Sequence, residues 1–124
     1  MTIENEYAKL WISEGILYFI YKPQTILQLD TAKKIVMDRL KLQNEISYPV
    51  LCDLRMVKDS EKIARDYLAR EGSILTKAVA FLVEPPFSEA TIYLYLRTSK
   101  PVIPTQIFTT KTEALSFLEK YKIK

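Results

Sequence analysis

The chain has 124 residues, 48% of them hydrophobic and 27% charged, with a formal net charge of +3 and no histidine. That length suits one domain with its own core, and a small, scattered positive charge leaves no electrostatic footprint for nucleic acid. Without histidine the commonest general acid/base near neutral pH and the commonest transition-metal ligand are gone, and a single cysteine cannot complete a zinc site of the usual kind.

The opening residues Met1 to Glu6 are acidic and lack the basic-then-apolar order of a signal peptide. No apolar run approaches the ~18 residues that a membrane helix needs, so a cytoplasmic protein with no membrane partner is expected. Tyr7 to Ile12 mixes aromatic, charged and β-branched residues and predicts an edge strand. Ser13-Glu14-Gly15 predicts a tight turn, and Ile16 to Tyr21 a returning strand that is apolar throughout. From Gln28 to Gln43 the period changes. Leu29, Ala32, Ile35, Val36 and Leu40 recur at helical spacing, while Lys33, Lys34, Asp38 and Lys41 are expected to face outward.

Pro49 to Val57 is the segment around which the rest is arranged. Val50, Leu51 and Cys52 are consecutive apolar residues, as in a strand buried on both faces at the centre of a parallel sheet. Cys52 reads as a small buried hydrophobe. Asp53 and Arg55 bring polar groups to the carboxyl end of that strand, the usual ligand edge of an open α/β sheet. A second helix is expected to begin near Asp59 or Ser60, to bury Ile63, Ala64, Tyr67 and Leu68, and to stop at Gly72. Gly72 and Gly15 are the only two glycines, too few for a Walker loop or a dinucleotide fingerprint. No cofactor and no metal are expected.

Lys77 to Val83 repeats the buried-strand pattern and ends at Glu84-Pro85-Pro86. Pro86 to Leu96 predicts a third helix with Ala90, Tyr93, Leu94 and Arg97 along one side; Tyr93 and Tyr95 point to different sides, one to the core. Pro101 and Pro104 stiffen the next connection. Gln106 to Phe108 is a short strand, and Thr110 with Glu113 fits a capping box opening a last helix with Ala114, Phe117, Leu118 and Tyr121 inward. The order β-β-α-β-α-β-α-β-α predicts a single α/β domain on a five-stranded mixed sheet.

The order of elements and the run strand–Asp53-Leu54–two residues–Val57, followed by Asp59-Ser60 and a helix, resemble the STAS domain, the fold of bacterial anti-sigma-factor antagonists. The whole chain is similar to small single-domain STAS-like proteins of bacteria. Ala78-Val79-Ala80, the Pro101 to Pro104 segment and Phe108-Thr109 before an Ala-Leu helix share in that likeness. In the antagonists an Asp-Ser-Ser-Gly run opens the second helix, and its serine is phosphorylated by a partner kinase. This chain matches with Asp59-Ser60 and departs with Glu61-Lys62, so the resemblance implies a docking surface more than a phosphorylation switch.

Each candidate has a plainer role beside it. Ser60, read as a phosphosite, could instead cap the helix for ~1 kcal/mol, as could Asp59. Asp53, read as a general base or ligand acceptor, could instead accept backbone amides of the following loop. The reading drawn from the resemblance is a non-enzymatic regulatory or protein-interaction module. Its contact surface is expected at the start of the second helix, Lys58 to Arg65, with Lys58, Asp59 and Ser60 as the candidate residues and Asp53 and Arg55 beside them. The alternative is a small-ligand domain holding an anion or nucleotide at the carboxyl edge of the sheet. A hydrolase built on Asp53 and Glu84 is a third reading. Finally, if every crossover runs the same way, the four helices share one sheet face. The bare face, dressed by Tyr18, Ile20 and Trp11, is then expected to bind a second copy.

Overall fold

The computed structural model describes residues 2–85 and 87–122. Its centre is the expected one. Strand β5 (Tyr48–Asp53) is buried along nearly its whole length and lies between β3 (Ile16–Tyr21) and β7 (Thr76–Leu82), parallel to both. Pro49 sits at an irregularity in the β5–β7 register, where a missing N–H is tolerated. Outward from this core, β8 (Thr105–Phe108) pairs in parallel with β7. On the other side β2 (Ala8–Ser13) pairs antiparallel with β3, and β1 (Thr2–Glu4) antiparallel with β2. The β2–β3 turn needs positive φ at both central residues, which Glu14 (50°) and Gly15 (80°) supply.

The sheet thus has six strands in the order β1-β2-β3-β5-β7-β8, one more than expected. The extra strand is polar and acidic, so no alternation announces it; it is held at its end by side-chain bonds. Asn5 Oδ1 accepts the amides of Tyr7 and Ala8, and its Nδ2 donates to Asp38 at 2.8 Å. Asp38 therefore turns inward, not outward as its charge suggested, and is buried between that amide and Lys34. A second, two-stranded parallel sheet also escaped the sequence reading: β4 (Thr25–Leu27) with β6 (Val57–Ser60). It forms a flap over the carboxyl edge of the main sheet.

Helix α1 (Leu29–Gln43) joins β4 to β5, α2 (Lys62–Glu71) joins β6 to β7, and α3 (Phe87–Thr98) joins β7 to β8. These crossovers all step the same way across the sheet and lie on one face, as handedness requires. The expectation fails for α4 (Lys111–Glu119). It follows the last strand, so it crosses nothing and is free to fold onto the opposite face, where Ala114 and Leu118 join Leu51, Ala78, Ala80 and Leu82. The bare face invoked for a second copy is therefore covered over β5 and β7. Its remaining half carries Trp11 and Tyr18, stacked at 5.0 Å, with Lys9 and Lys111 over their rings.

Three local expectations need correction. Helix α2 begins at Lys62, and its N-cap Glu61 makes no side-chain cap bond; Ser60 and Asp59 instead belong to β6, whose pairing with β4 claims their backbone. Ile63 is 57% exposed, because the later start turns it outward, and Ala69 takes a buried place beside Ala64. Of the α3 positions expected on one side, Ala90, Tyr93 and Arg97 are exposed while Ile92 and Tyr95 point inward; the side chain of Leu94 and the expected start at Pro86 lie outside the described residues. The Tyr93/Tyr95 split and the Thr110 cap hold: Thr110 Oγ1 accepts the Glu113 amide at 3.4 Å. Gly72 does close α2, through space and not through φ. A Cβ there would lie 2.3 Å from the Leu68 carbonyl oxygen.

Candidate functional site

Between the sheet and its three crossover helices lies a cavity of about 140 Å³. Its floor is the face of β3, β5 and β7 that carries Phe19, Val50, Cys52 and Phe81; Ile92 and Tyr95 of α3 close one wall. The flap supplies the mouth, with Leu27 and Val57 inside and the exposed Lys58 and Asp59 at the rim. The strands of the floor and the crossover helices frame this space, and the side chains between them do not fill it.

Two guanidinium groups enter this apolar space. Arg39 of α1 is 4% exposed; it donates to Gln43 Oε1 and, from Nη2, to the Gly72 carbonyl at 3.2 Å. Among the described residues no carboxylate lies within ion-pair distance of it. Burial pulls its pKa down to about 10, which still leaves it charged at neutral pH. Gln43 is buried too and spans the far end, donating to the carbonyls of Ile46 and Leu75. Arg65 of α2 donates through Nη1 to the Ser60 carbonyl at 2.7 Å and to the Ser60 hydroxyl at 2.9 Å. Its Nε is buried without a partner, alone among the buried side-chain polar atoms of the described residues. Burial also pushes the Cys52 thiol and the hydroxyls of Tyr21 and Tyr95 well up, so none of them offers an anion near neutral pH.

The five residues singled out from sequence divide into two groups. Lys58, Asp59 and Ser60 come to the cavity mouth. Asp59 Oδ1 accepts the Ser60 amide, and Ser60 holds Arg65, so the serine positions a cation instead of capping a helix. Asp53 and Arg55 turn away from the cavity. Asp53, 7% exposed, accepts Arg55 N and Nε through Oδ1 and Nη2 through Oδ2 at 2.8 Å. That bond, more than any other contact, holds the Arg55 guanidinium above its ordinary pKa. The pair closes the loop after β5; Glu84 is exposed at the end of the neighbouring strand. Among the described residues no three Cys, Asp or Glu side chains gather where a metal could sit, and no helix is long and apolar enough to cross a membrane.

Arg39 and Gln43 were the functional residues that sequence reasoning missed. A signal existed. Ile35, Arg39 and Gln43 recur every four residues, placing two polar side chains on the helix's inward stripe. Buried polar groups at such positions are the informative exceptions.

A family model described as a domain of unknown function, DUF7793, matches residues 10–122. No curated protein matches the chain. Among solved structures, the chain is similar to an uncharacterized protein of the DUF3478 family from Shewanella loihica PV-4, described as having a SpoIIAA-like fold. The identity is 15%, the TM-score 0.63, and the match covers 94% of this chain and 98% of that one. A likeness at that identity shows the fold, which is STAS-like.

Proposed function

The chain belongs to the DUF7793 family, and from that footing we propose that it is a non-enzymatic module binding a small ligand in the cavity between the sheet and α1, α2 and α3. One observation carries this reading: a buried cation with no anionic partner among the described residues lines an unfilled cavity. Both features weaken the fold. A 140 Å³ cavity with apolar walls forgoes the packing contacts that a filled core would make. An unpaired buried charge costs several kcal/mol. Against a net stability of ~5–15 kcal/mol, two such penalties in one place are the mark of a site and not of poor packing. The absence of chemistry in the reading follows from the groups present: both Asp53 oxygens are engaged by Arg55, and Cys52 is a buried thiol. The test is a screen of ring-sized apolar compounds by methyl NMR. Saturable shifts confined to Val50, Val79 and Ile92 support the site, and a screen without any saturable shift overturns it.

A second reading, protein docking at the start of α2, is favoured by the flap. Ile26 of β4, Met56 before β6 and Ile63 of α2 are each 43–57% exposed. Exposed apolar side chains on the flap and on α2, elements that also line the cavity, suit a regulatory surface that reports occupancy. Replacement of Ile63 by Glu is expected to abolish stoichiometric capture of one partner protein, while leaving the NMR-detected ligand site intact.

A further inference from the structure

We propose that the occupant of the cavity is a compact monocarboxylate with a ring-sized apolar body, its carboxylate on Arg39 and its body against Val50, Phe81 and Ile92; the inference rests on the ligand-binding reading above. Size decides first. A cavity of about 140 Å³ is close to the ~150 Å³ that accepts benzene in an engineered apolar core. It is well short of the ~300 Å³ where pockets for drug-sized ligands begin. A nucleotide does not fit, which narrows the anion-or-nucleotide alternative to the small anion.

Charge decides next. The guanidinium of Arg39 is committed to the Gln43 side-chain oxygen and the Gly72 carbonyl, which leaves further N–H donors of its fork open. A planar carboxylate matches that fork and forms charge-assisted bonds in a low-dielectric setting. A phosphate dianion suits it less. Two carbonyl-type oxygens already face the same guanidinium, and a second negative charge would have to reach Arg65, nearer the mouth, for a cation of its own. The unpartnered Arg65 Nε stands nearer the mouth, on the side of Ser60, and adds a second open donor to the lining. Among the described lining residues the only carboxylate, Asp59, has one oxygen tied to the Ser60 amide and lies exposed at the rim, so their charges leave the interior electropositive.

Lining polarity also orients the ligand. Most of the lining from three strands and α3 is apolar, with the neutral hydroxyls of Tyr21 and Tyr95 among its hydrogen-bonding exceptions. A hydroxyl or amine set against Val50, Phe81 and Ile92 would lose water without recompense. The class expected is therefore a monocarboxylate whose body is hydrocarbon, aromatic or branched aliphatic.

The experiment uses the full wild-type chain and three probes: benzoate, its neutral isostere benzamide, and inorganic phosphate, each titrated by calorimetry and methyl NMR. Benzoate is expected to bind at least ~10-fold tighter than benzamide, with shifts at Val50 and Ile92 and no competition from phosphate. Arg39→Met is expected to bring the two organic probes within about 2-fold of each other. Equal binding of benzoate and benzamide to the wild type overturns the carboxylate assignment and leaves the cavity reading standing. Displacement of benzoate by phosphate overturns it in favour of a simple anion site. Failure of both ring compounds to bind overturns this inference, and the reading beneath it falls only if the wider screen of ring-sized compounds also gives no saturable shift. The benzoate-to-benzamide comparison needs no variant, so it decides the matter even if Arg39→Met does not fold.

Discussion

On the face of the sheet covered by α4, Ala78, Ala80 and Ala114 are fully buried and bring helix and strands close, and Leu118 fills the remaining space. On the opposite face Phe19, Phe81 and Tyr95 are far larger, yet three helices held at the ends of crossovers leave a cavity beneath them. The difference teaches how one sheet divides its duties. Small residues permit close approach and tight packing on the α4 face. Large residues on a fixed frame leave room, and a buried arginine keeps that room polar at one point.

The largest expected effect lies on the close-packed face. Leu118→Ala should lose ~2–5 kcal/mol in denaturant unfolding, because the site cannot collapse onto alanines. A loss under ~1 kcal/mol would show that α4 is only loosely seated and would dissolve the contrast. The sharper comparison adds carbon to each face in turn. Ala80→Leu should cost ~1–3 kcal/mol by overpacking, whereas Val50→Ile, facing the cavity, should be neutral or gain ~0.5 kcal/mol. Equal signs for the two changes would mean that the cavity closes in solution.

Arg39→Met comes next. Removing a buried charge that has no anionic partner among the described residues should stabilise the ligand-free protein by ~1 kcal/mol, after loss of its two hydrogen bonds. A clear destabilisation would place Arg39 among structural residues. The two hydroxyls expected to cap helices should now separate by cause: Thr110→Ala should cost ~1 kcal/mol as a lost cap, and Ser60→Ala ~1 kcal/mol as a lost hydrogen bond to the Arg65 guanidinium, which keeps the Ser60 carbonyl. Thermal unfolding of both variants checks the two costs. The smallest effect concerns pH and the N-terminal arm. Burial pushes the Asp38 carboxyl up, but hydrogen bonds from Asn5 and Lys34 outweigh it and hold the pKa below the ordinary value. A depressed folded pKa contributes stability above the unfolded value, ~4, and loses it as pH falls through the folded one. Exchange protection of the β1 amides should therefore fade in that acid range, and Asp38→Asn should remove the dependence.

The sequence by itself determined the central strand, the hairpin, the helices α1 and α4 and the STAS-like order of elements. Each of these rests on a local rule: consecutive apolar residues from Val50 to Cys52, positive φ at Gly15, the helical spacing of Ala32 and Ile35, the Thr110 cap. It also placed Lys58, Asp59 and Ser60 near the candidate site, since that edge follows from strand direction alone. The flap was not legible, because Thr25–Leu27 and Val57–Ser60 are each too short to show a period, and only their pairing makes them strands. Once that pairing claimed Ser60, α2 began later and Ile63 turned outward. Tertiary structure alone decided the side taken by α4, for a helix after the last strand is bound by no crossover rule. It alone decided the cavity, because a void is a property of distances between elements, and no spacing of residues along the chain encodes that Arg39 should face one.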